Sequence, residues 1–181
     1  MATALVLLAE GFEEIEAVTI IDVLRRGEVA VTTASLAGKH VKGSHDIVVE
    51  ADTLYDHVSV DDFDALVLPG GPGAKTLRED ARAQATIRQA AEKGKLVAAV
   101  CAAPTALDAA GVLSGKRATA YPGHELPSAQ QVEARVVEDG NIVTGRGPGT
   151  SMEFALKVVE RLSGAAVAKE VAEKLLFSPS P

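Results

Sequence analysis

The sequence predicts an α/β fold, with a mostly parallel sheet, helices on both faces and a small antiparallel hairpin. Strand-like segments alternate with helical ones along the 181 residues. Two of these strands, Asp64–Leu68 and Leu96–Val100, are largely apolar on both faces, as in a parallel sheet that helices cover on both sides. Hydrophobic residues make up 47% of the chain and aromatic residues only 3%, so aliphatic side chains must fill the core.

The first half of the chain contains strands and two helical regions. Ala4–Ala9 is an apolar strand ended by Glu10-Gly11, and the helix that follows, from Glu13 to Arg26, stops before Gly27. Three further strands are expected, at Val29–Ser35, Asp46–Glu50 and Asp64–Leu68, and residues 39–43 are a candidate pairing partner for the second of them. A turn-rich link is expected at Val58–Asp62, and one or two helices from Thr76 to Lys93.

The second half begins with the Leu96–Val100 strand. The helix after it starts at Pro104, whose missing N–H costs nothing in a first turn. Asp139-Gly140 is a strong hairpin signal. The expected elements are a helix at Pro104–Ala110, a brief strand at Thr119–Tyr121, hairpin strands at Glu133–Val137 and Asn141–Thr144, helices at Thr150–Leu162 and Ala165–Phe177, and a Pro/Ser tail.

Composition narrows the class of function. A net charge of −7 argues against a nucleic-acid partner, and no run of Lys or Arg suggests an anionic membrane surface. The N-terminus lacks a basic region before its short apolar run, so we expect no signal peptide and no membrane segment. One cysteine cannot form an intramolecular disulfide, which fits a reducing compartment, and we expect a cytoplasmic protein.

Cys101 is the only cysteine, and it lies where a buried strand turns into a helix. Helix N-termini present free N–H groups and a positive dipole end, which favour the thiolate. The thiolate is the reactive form, so we expect a reactive, acidic thiol at this position. The alternative is that Cys101 packs as a small hydrophobe.

Glu16 interrupts the apolar arc of the first helix. At about 100° per residue it falls between Ile20 and Val23, whereas Glu14 falls on the solvated arc. A carboxylate on an apolar arc needs a partner or a proton, so Glu16 is a candidate functional residue. The alternative is that Glu16 lies at the edge of the arc or favours the helix N-terminus. Glu13 and Glu14 are interpreted as structural charges of the first turn.

A glycine-rich loop, Pro69–Gly73, follows the third buried strand. Its backbone can approach a ligand closely, and N–H groups such as those of Gly70 and Gly71 can hold an oxyanion. The alternative is a tight turn without a ligand. The glycine patterns of phosphate and dinucleotide sites are absent. Parallel strands end at one edge of a sheet, so if their strands are neighbours this loop meets Cys101 and the Glu10–Glu14 segment in one crevice.

A second glycine-rich segment opens the helix near Thr150. Within it Arg146 is a candidate cation facing the site or an interface. Thr150 and Glu153 have the spacing of a capping box. The four histidines have no metal-ligand spacing with one another or with Cys101, so we expect no metal. Since the dinucleotide pattern is absent, we expect no cofactor either. His124 is the only histidine that we consider as a base.

Four motifs, in order and spacing, resemble the ThiJ/PfpI superfamily in its parkinsonism-associated (DJ-one) branch. They are Ala9–Glu16, Val67–Gly71, Ala98–Thr105 and Gly145–Thr150. The resemblance covers nearly the whole chain. It implies a single domain over residues 1–181, a flavodoxin-like sandwich and a homodimer.

The resemblance also implies roles for particular residues. Cys101 would be the nucleophile on a strained turn, with Glu16 hydrogen-bonded to its sulfur. The N–H groups of Gly71 and Ala102 would form the oxyanion site. Family members act on α-oxoaldehydes such as methylglyoxal without a cofactor, and protein deglycation, sensing of oxidative stress and chaperone activity are also attributed to them.

Three residues depart from the family pattern. Ala102 stands where the protease-like branch has a histidine, so we do not expect a proteolytic Cys-His pair. Tyr121 stands where many relatives have a histidine; it stays a catalytic candidate that orients the substrate. His45 stands where relatives often have an arginine lining the pocket.

Two hypotheses follow. The first is a cofactor-independent enzyme that acts on reactive carbonyls, a glyoxalase or deglycase with a cysteine nucleophile. The second is a non-enzymatic redox sensor or stress chaperone that works through oxidation of Cys101. Both need a thiol beside a glutamate, so the sequence does not separate them.

Overall fold

The computed structural model describes residues 1–178; the end of the expected Pro/Ser tail, residues 179–181, lies outside the described residues. The strands are β1 (Thr3–Leu8), β2 (Ala30–Ser35), β3 (His40–Lys42), β4 (Val48–Glu50), β5 (Thr53–Leu54), β6 (Ala65–Leu68), β7 (Leu96–Val100), β8 (Arg117–Ala118), β9 (Gln130–Gln131), β10 (Val136–Asp139) and β11 (Ile142–Gly145). The helices are α1 (Glu14–Arg26), α2 (Ala74–Glu79), α3 (Ala81–Glu92), α4 (Pro104–Ala109), α5 (Ser151–Ser163) and α6 (Ala165–Lys174).

Seven strands form the central sheet, in the order β10-β11-β7-β6-β1-β2-β5. Every neighbouring pair is parallel except β10 and β11, the hairpin expected at Asp139-Gly140. The strand β4 pairs antiparallel with β3, as anticipated. The predicted α/β class, parallel sheet and small hairpin are therefore confirmed.

Alternate residues of the central strands enter two separate cores. Leu5 and Leu7 of β1 pack on the side of the sheet covered by α2, α3 and α4. Val6 and Leu8 pack on the side covered by α1, α5 and α6. Strands buried on both faces explain the continuous apolar runs in the sequence. Over the described residues, no helix has the length and apolar character needed to cross a bilayer.

The expected strand at Thr119–Tyr121 is wrong, and two very short strands escaped prediction. The strand lies earlier, at β8. The backbone N–H of Thr119 donates to the Thr144 hydroxyl at 3.0 Å, and the backbone N–H of Tyr121 donates to the Cys101 carbonyl. These bonds tie the segment to the site instead of to a strand ladder. The missed strands, β5 and β9, have two residues each, too few to show alternation.

The predicted capping box at Thr150 is also wrong. The Thr150 hydroxyl bonds within the preceding turn, accepting from the Gly147 N–H at 3.1 Å and donating to the Gly147 carbonyl. Glu153 pairs instead with Arg135, with 2.7 Å between Oε2 and Nε. A 3₁₀ turn at Pro148–Thr150 precedes α5 and engages the hydroxyl that a capping box requires.

Candidate functional site

Three loops meet at the carboxyl edge of the sheet, as expected from the strand order. Since β7, β6 and β1 are neighbours, their C-terminal loops are adjacent. The Gly73 N–H donates to the Gly11 carbonyl at 2.9 Å, and the Glu13 N–H donates to the Gly70 carbonyl at 3.0 Å. The Cys101 N–H donates to the Gly145 carbonyl, which adds the end of β11 to the cluster. These backbone bonds fix the loops against one another.

Cys101 adopts a backbone conformation that few non-glycine residues adopt. Its φ is +64°, in the left-handed region, which costs about 1–2 kcal/mol for a residue with a β-carbon. The bonds of its N–H to Gly145 and of its carbonyl to Tyr121 hold this conformation. The turn leaves the sulfur hydrogen-bonded by the backbone N–H groups of Gly71 and Ala102. The residue is only 7% exposed.

The glycine loop leaves no room for side chains beside the thiol. A β-carbon on Gly70 would lie 2.7 Å from the Cys101 β-carbon and 2.7 Å from Glu16 Oε2. A β-carbon on Gly71, where φ is +84°, would lie 2.6 Å from the Glu13 backbone nitrogen. Both glycines are therefore required for the close approach of the three loops.

Glu16 lies inside the protein next to the thiol. It has no exposed surface, and its Oε2 accepts a hydrogen bond from the Gly70 N–H at 2.7 Å. Its Oε1 has no nitrogen or oxygen partner among the described residues. Burial raises the pKa of Glu16 to about 7, and the charge of Glu13 adds to this, while hydrogen bonds with the Cys101 thiol and the Gly70 N–H oppose it. The carboxyl can thus change its charge near neutral pH.

The Cys101 thiol is not acidic, contrary to the expectation from its place before a helix. Burial, followed by the charge and the hydrogen bond of Glu16, raises its pKa to about 12, and the N–H groups of Gly71 and Ala102 only partly offset this rise. The helix dipole is weak here because α4 has six residues and begins three residues later, at Pro104. A thiol whose pKa is raised needs a base to become nucleophilic, and the Glu16 carboxyl lies beside it.

The second buried glutamate, Glu14, was expected on the solvated arc, and that expectation is wrong. The turn between β3 and β4 covers it: Oε1 accepts from the His45 N–H at 2.6 Å, and Oε2 lies 3.0 Å from His45 Nδ1 and 3.2 Å from the Ser44 hydroxyl. Burial opposes its charge, but these hydrogen bonds prevail and lower the pKa of Glu14 to about 2. The hydrogen bond to Glu14 raises the pKa of His45.

Glu13, Glu14 and His45 also bring three potential metal ligands within 4.8 Å of one another. Glu13 is the N-cap of α1, since its Oε2 accepts from the Glu16 N–H at 2.8 Å. Glu14 already accepts from the hairpin turn. The cluster is satisfied as a hydrogen-bond network, so its donor set does not indicate a metal site.

A cavity of about 310 Å³ opens beside the two N–H groups that contact the sulfur. His124, the histidine considered as a base, lies in its wall. The sequence analysis did not identify the two cations of this wall, Lys75 and Arg78, as site residues. The only sequence feature that could have indicated them is their separation by three residues in the helix that directly follows the glycine loop. The lining residues are Gly71, Pro72, Ala74, Lys75, Arg78, Ala102, Thr105 and His124.

Tyr121 and Arg146 do not belong to the lining of this cavity. The Tyr121 side chain is 46% exposed and packs edge-on to the His124 ring, with 6.3 Å between ring centroids. Arg146 lines a second cavity, of about 390 Å³, together with Pro122, Gly123, Gln131, Val132 and Glu133. Its nearest acidic partner is Glu133, with 3.8 Å between Nη2 and Oε1. The structure therefore brings together Cys101, Glu16, Gly70, Gly71 and Ala102, but not Arg146.

Comparison with known proteins finds similar proteins over nearly the whole chain. The model of the DJ-1/PfpI family matches residues 2–161. The chain is 45% identical to protein DJ-1alpha of Drosophila melanogaster, covering 98% of this chain and 85% of that protein. It is 36% identical to a protein named as a deglycase from Thermococcus kodakarensis, covering 87% and 98%. The crystal structure of Drosophila melanogaster DJ-1beta superposes with a TM-score of 0.94 at 43% identity, covering 98% and 99%.

Proposed function

Because this chain belongs to the DJ-1/PfpI family, we propose that it is a cofactor-independent cysteine enzyme of the glyoxalase or deglycase type. Its substrates are reactive α-oxoaldehydes, with methylglyoxal converted to lactate as the model reaction. The observation that carries the proposal is the pairing of Cys101 with a buried carboxyl, Glu16, whose pKa is about 7. A group with that pKa is suited to accept and return protons at neutral pH.

The first step is addition of the thiol to the aldehyde. The Cys101 sulfur forms a bond to the aldehyde carbon while the thiol proton moves to the Glu16 carboxylate. The electron pair of the carbonyl bond moves onto the oxygen. The N–H groups of Gly71 and Ala102 stabilise this oxyanion, and protonation by Glu16 then gives a hemithioacetal.

The second step is an intramolecular oxidation–reduction between two neighbouring carbons of the hemithioacetal. Glu16, again a carboxylate, removes the proton from the former aldehyde carbon and delivers a proton to the neighbouring carbon, while a proton moves between the two oxygens. The product is a thioester of Cys101, in which one carbon is oxidised and its neighbour is reduced. Water then hydrolyses the thioester, releasing lactate and restoring the thiol, so no external oxidant or cofactor is needed.

Tyr121 is proposed to orient the substrate and not to act as the base. A phenol is a weak base and accepts protons poorly at neutral pH. Its exposed ring, beside His124 and near the turn that holds Cys101, suits a positioning role. Arg146 remains a candidate for substrate binding, but its place at the second cavity gives no support to that role.

A redox sensor is the second candidate function, and one observation favours it. The Gly71 and Ala102 N–H groups already point at the sulfur, so they can hold the oxygens of a sulfinate, with a protonated Glu16 as a further donor. The chain has no second cysteine to form an intramolecular disulfide. Mild peroxide is then expected to produce Cys101 sulfinate, detected as a mass increase of two oxygens.

We also propose a homodimer through an apolar patch on α1 and the β3–β4 hairpin. Ile15, Val18, Ile47 and Val48 are each about half exposed, at 58%, 49%, 56% and 53%. The Glu14–His45 bonds hold the hairpin turn against the start of α1, so these side chains belong to one surface. A second copy would cover this patch. The single cysteine, the net charge of −7 and the lack of a run of Lys or Arg are consistent with a cytoplasmic protein that binds neither nucleic acid nor membranes.

The test of the proposed function is lactate formation from methylglyoxal. We expect turnover by the parent protein and none by Cys101→Ser, because the serine hydroxyl is far harder to deprotonate. Lactate formed equally by Cys101→Ser would overturn the enzyme proposal. No turnover by the parent together with ready formation of the sulfinate would favour the sensor.

A further inference from the structure

The wall of the cavity beside the thiol is basic. Lys75 and Arg78, both on α2, and His124 line it, and no acidic side chain belongs to the described lining. This contrasts with the whole chain, whose net charge is −7. Cations concentrated in a concave wall raise the local concentration of anions. The cavity is therefore a place where a negatively charged group is favoured over a neutral one.

The two cations are only weakly neutralised by their neighbours. They share one carboxylate, Glu79, with 3.5 Å from Lys75 Nζ to Oε2 and 3.7 Å from Arg78 Nη2 to Oε1. Arg161, by comparison, has a much closer partner in Glu138, at 2.6 Å. Lys75 and Arg78 can thus contact a ligand without losing a strong ion pair.

The cavity is also too large for methylglyoxal alone. Its volume of about 310 Å³ holds about ten water molecules at about 30 Å³ each, whereas methylglyoxal has five non-hydrogen atoms. In the proposed reaction the reactive end of the substrate lies at the N–H groups of Gly71 and Ala102. The same lining also includes Ala74, Lys75 and Arg78 of α2.

From this arrangement we infer that the preferred substrate is an α-oxoaldehyde with a carboxylate at its far end. The inference rests on the proposed function and names the substrate class for the same site. The Cys101 sulfur and the two N–H groups engage the aldehyde, and the carboxylate lies against Lys75 and Arg78. The reaction is the one written above, with a hydroxy dicarboxylate as product and no additional reactant.

Alkylation of Cys101 tests the basic wall without requiring turnover. Iodoacetate is an anion and iodoacetamide is neutral, and the single cysteine makes the reaction site unambiguous. We measure the rate of alkylation by iodoacetate divided by the rate of alkylation by iodoacetamide. We expect this ratio to be higher for Cys101 than for a small thiol in solution. The double variant Lys75→Gln/Arg78→Gln should lower this ratio by roughly three- to tenfold, as two partly exposed charges imply.

The matched control is Lys169→Gln/Lys174→Gln. It removes the same charge from α6, which packs on α5 on the opposite face of the sheet. The control should leave the ratio unchanged. Equal loss in both double variants would show a bulk charge effect and overturn the inference, as would an unaltered ratio in Lys75→Gln/Arg78→Gln.

Turnover then tests the substrate itself. We expect kcat/KM for 4,5-dioxopentanoate to exceed that for 2-oxopentanal, which has the same carbon skeleton without the carboxylate. The excess should be roughly three- to tenfold and should fall in Lys75→Gln/Arg78→Gln but not in Lys169→Gln/Lys174→Gln. Turnover of methylglyoxal without any preference for 4,5-dioxopentanoate would overturn this inference and leave the proposed function standing. Loss of all turnover in the parent would overturn the proposed function, and the alkylation ratio would still decide whether the wall selects anions.

Discussion

Glu14 and Glu16 lie two residues apart in α1 and are both buried, yet their carboxyl groups behave in opposite ways. The pKa of Glu14 is lowered to about 2, and that of Glu16 is raised to about 7. Burial opposes the charge of both. The difference lies in the donors: Glu14 has the His45 backbone and ring and the Ser44 hydroxyl, whereas Glu16 has the Gly70 N–H and a thiol. The hydrogen-bond donors around each carboxyl group thus determine that Glu14 has a structural role and Glu16 a chemical one, although both lie in the same helical turn.

The largest expected effect concerns activity. Glu16→Gln should lower methylglyoxal turnover about 10²–10⁴-fold, because it removes the group that accepts the thiol proton and moves protons between carbons. Glu14→Gln should change kcat far less, since the hydrogen bonds of Glu14 are with Ser44 and His45. Steady-state kinetics on both variants check this.

Tyr121→Phe sharpens the same comparison. It should retain more activity than Glu16→Gln, because Tyr121 is proposed to position the substrate and not to transfer protons. If Tyr121→Phe were the more damaging of the two, the base would be the phenol or a water molecule that it holds.

The next effect is on the pH dependence of stability. Folded Glu16 keeps its proton between its ordinary pKa of 4.5 and about 7, while the unfolded chain loses it. The folded state then binds more protons, so the free energy of unfolding falls as pH rises through this window, by up to about 3 kcal/mol. Glu14 acts in the opposite sense: its contribution is present above pH 4.5 and is lost as pH falls toward about 2.

Urea unfolding across these pH ranges measures the two slopes. Glu16→Gln should flatten the fall between pH 4.5 and 7, and Glu14→Gln should flatten the loss below pH 4.5. If the two variants had identical profiles of unfolding free energy against pH, the hydrogen-bond donors would not be the cause of the different pKa values of the two carboxyl groups.

A smaller effect is the stability that Glu14 contributes at neutral pH. Glu14→Gln should lower the free energy of unfolding at pH 7 by about 1–3 kcal/mol, because His45 and Ser44 lose a charged acceptor in a buried setting. Ser163→Ala, which removes a single hydroxyl bond to the Gly27 carbonyl, is a control with an expected loss of about 1 kcal/mol. A Glu14→Gln variant as stable as the parent would contradict the assignment of Glu14 as a structural residue.

The smallest effect is on His45. Its hydrogen bond to Glu14 raises its pKa, so the ring should titrate above its ordinary value in the parent and return toward that value in Glu14→Gln. Proton NMR of the ring resonances against pH measures this shift. An unchanged His45 titration in Glu14→Gln would show that the ion pair does not persist in solution.

Much of the fold could be predicted because its signals are local. The apolar runs of β1, β6 and β7 and the hairpin residues Asp139-Gly140 each carry their own pattern. The position of Glu16 on the buried arc followed from helical periodicity. The approach of the glycine loop to Cys101 could be expected from the shared edge of parallel strands, on the condition that their strands are neighbours. The contact of Glu16 with the sulfur followed only from the family resemblance.

What escaped prediction depends on contacts between distant segments. Glu14 was placed on the solvated arc because periodicity does not reveal that a hairpin 30 residues away covers it. The thiol was expected to be acidic because a helix start is visible in the sequence, whereas the burial that raises its pKa is not. Likewise the basic wall of Lys75 and Arg78 appears only when α2 is seen beside Ala102 and His124.

The central claim is that the Glu16 carboxylate activates the Cys101 thiol, and the pH profile of Cys101 alkylation by iodoacetamide tests it most directly. The rate in the parent should rise with an inflection near pH 7, where Glu16 loses its proton. Glu14→Gln should keep that inflection, and Glu16→Gln should lose it, reacting appreciably only at higher pH. An inflection near pH 7 that persists in Glu16→Gln would contradict the account, because the thiol would then ionise without the carboxylate.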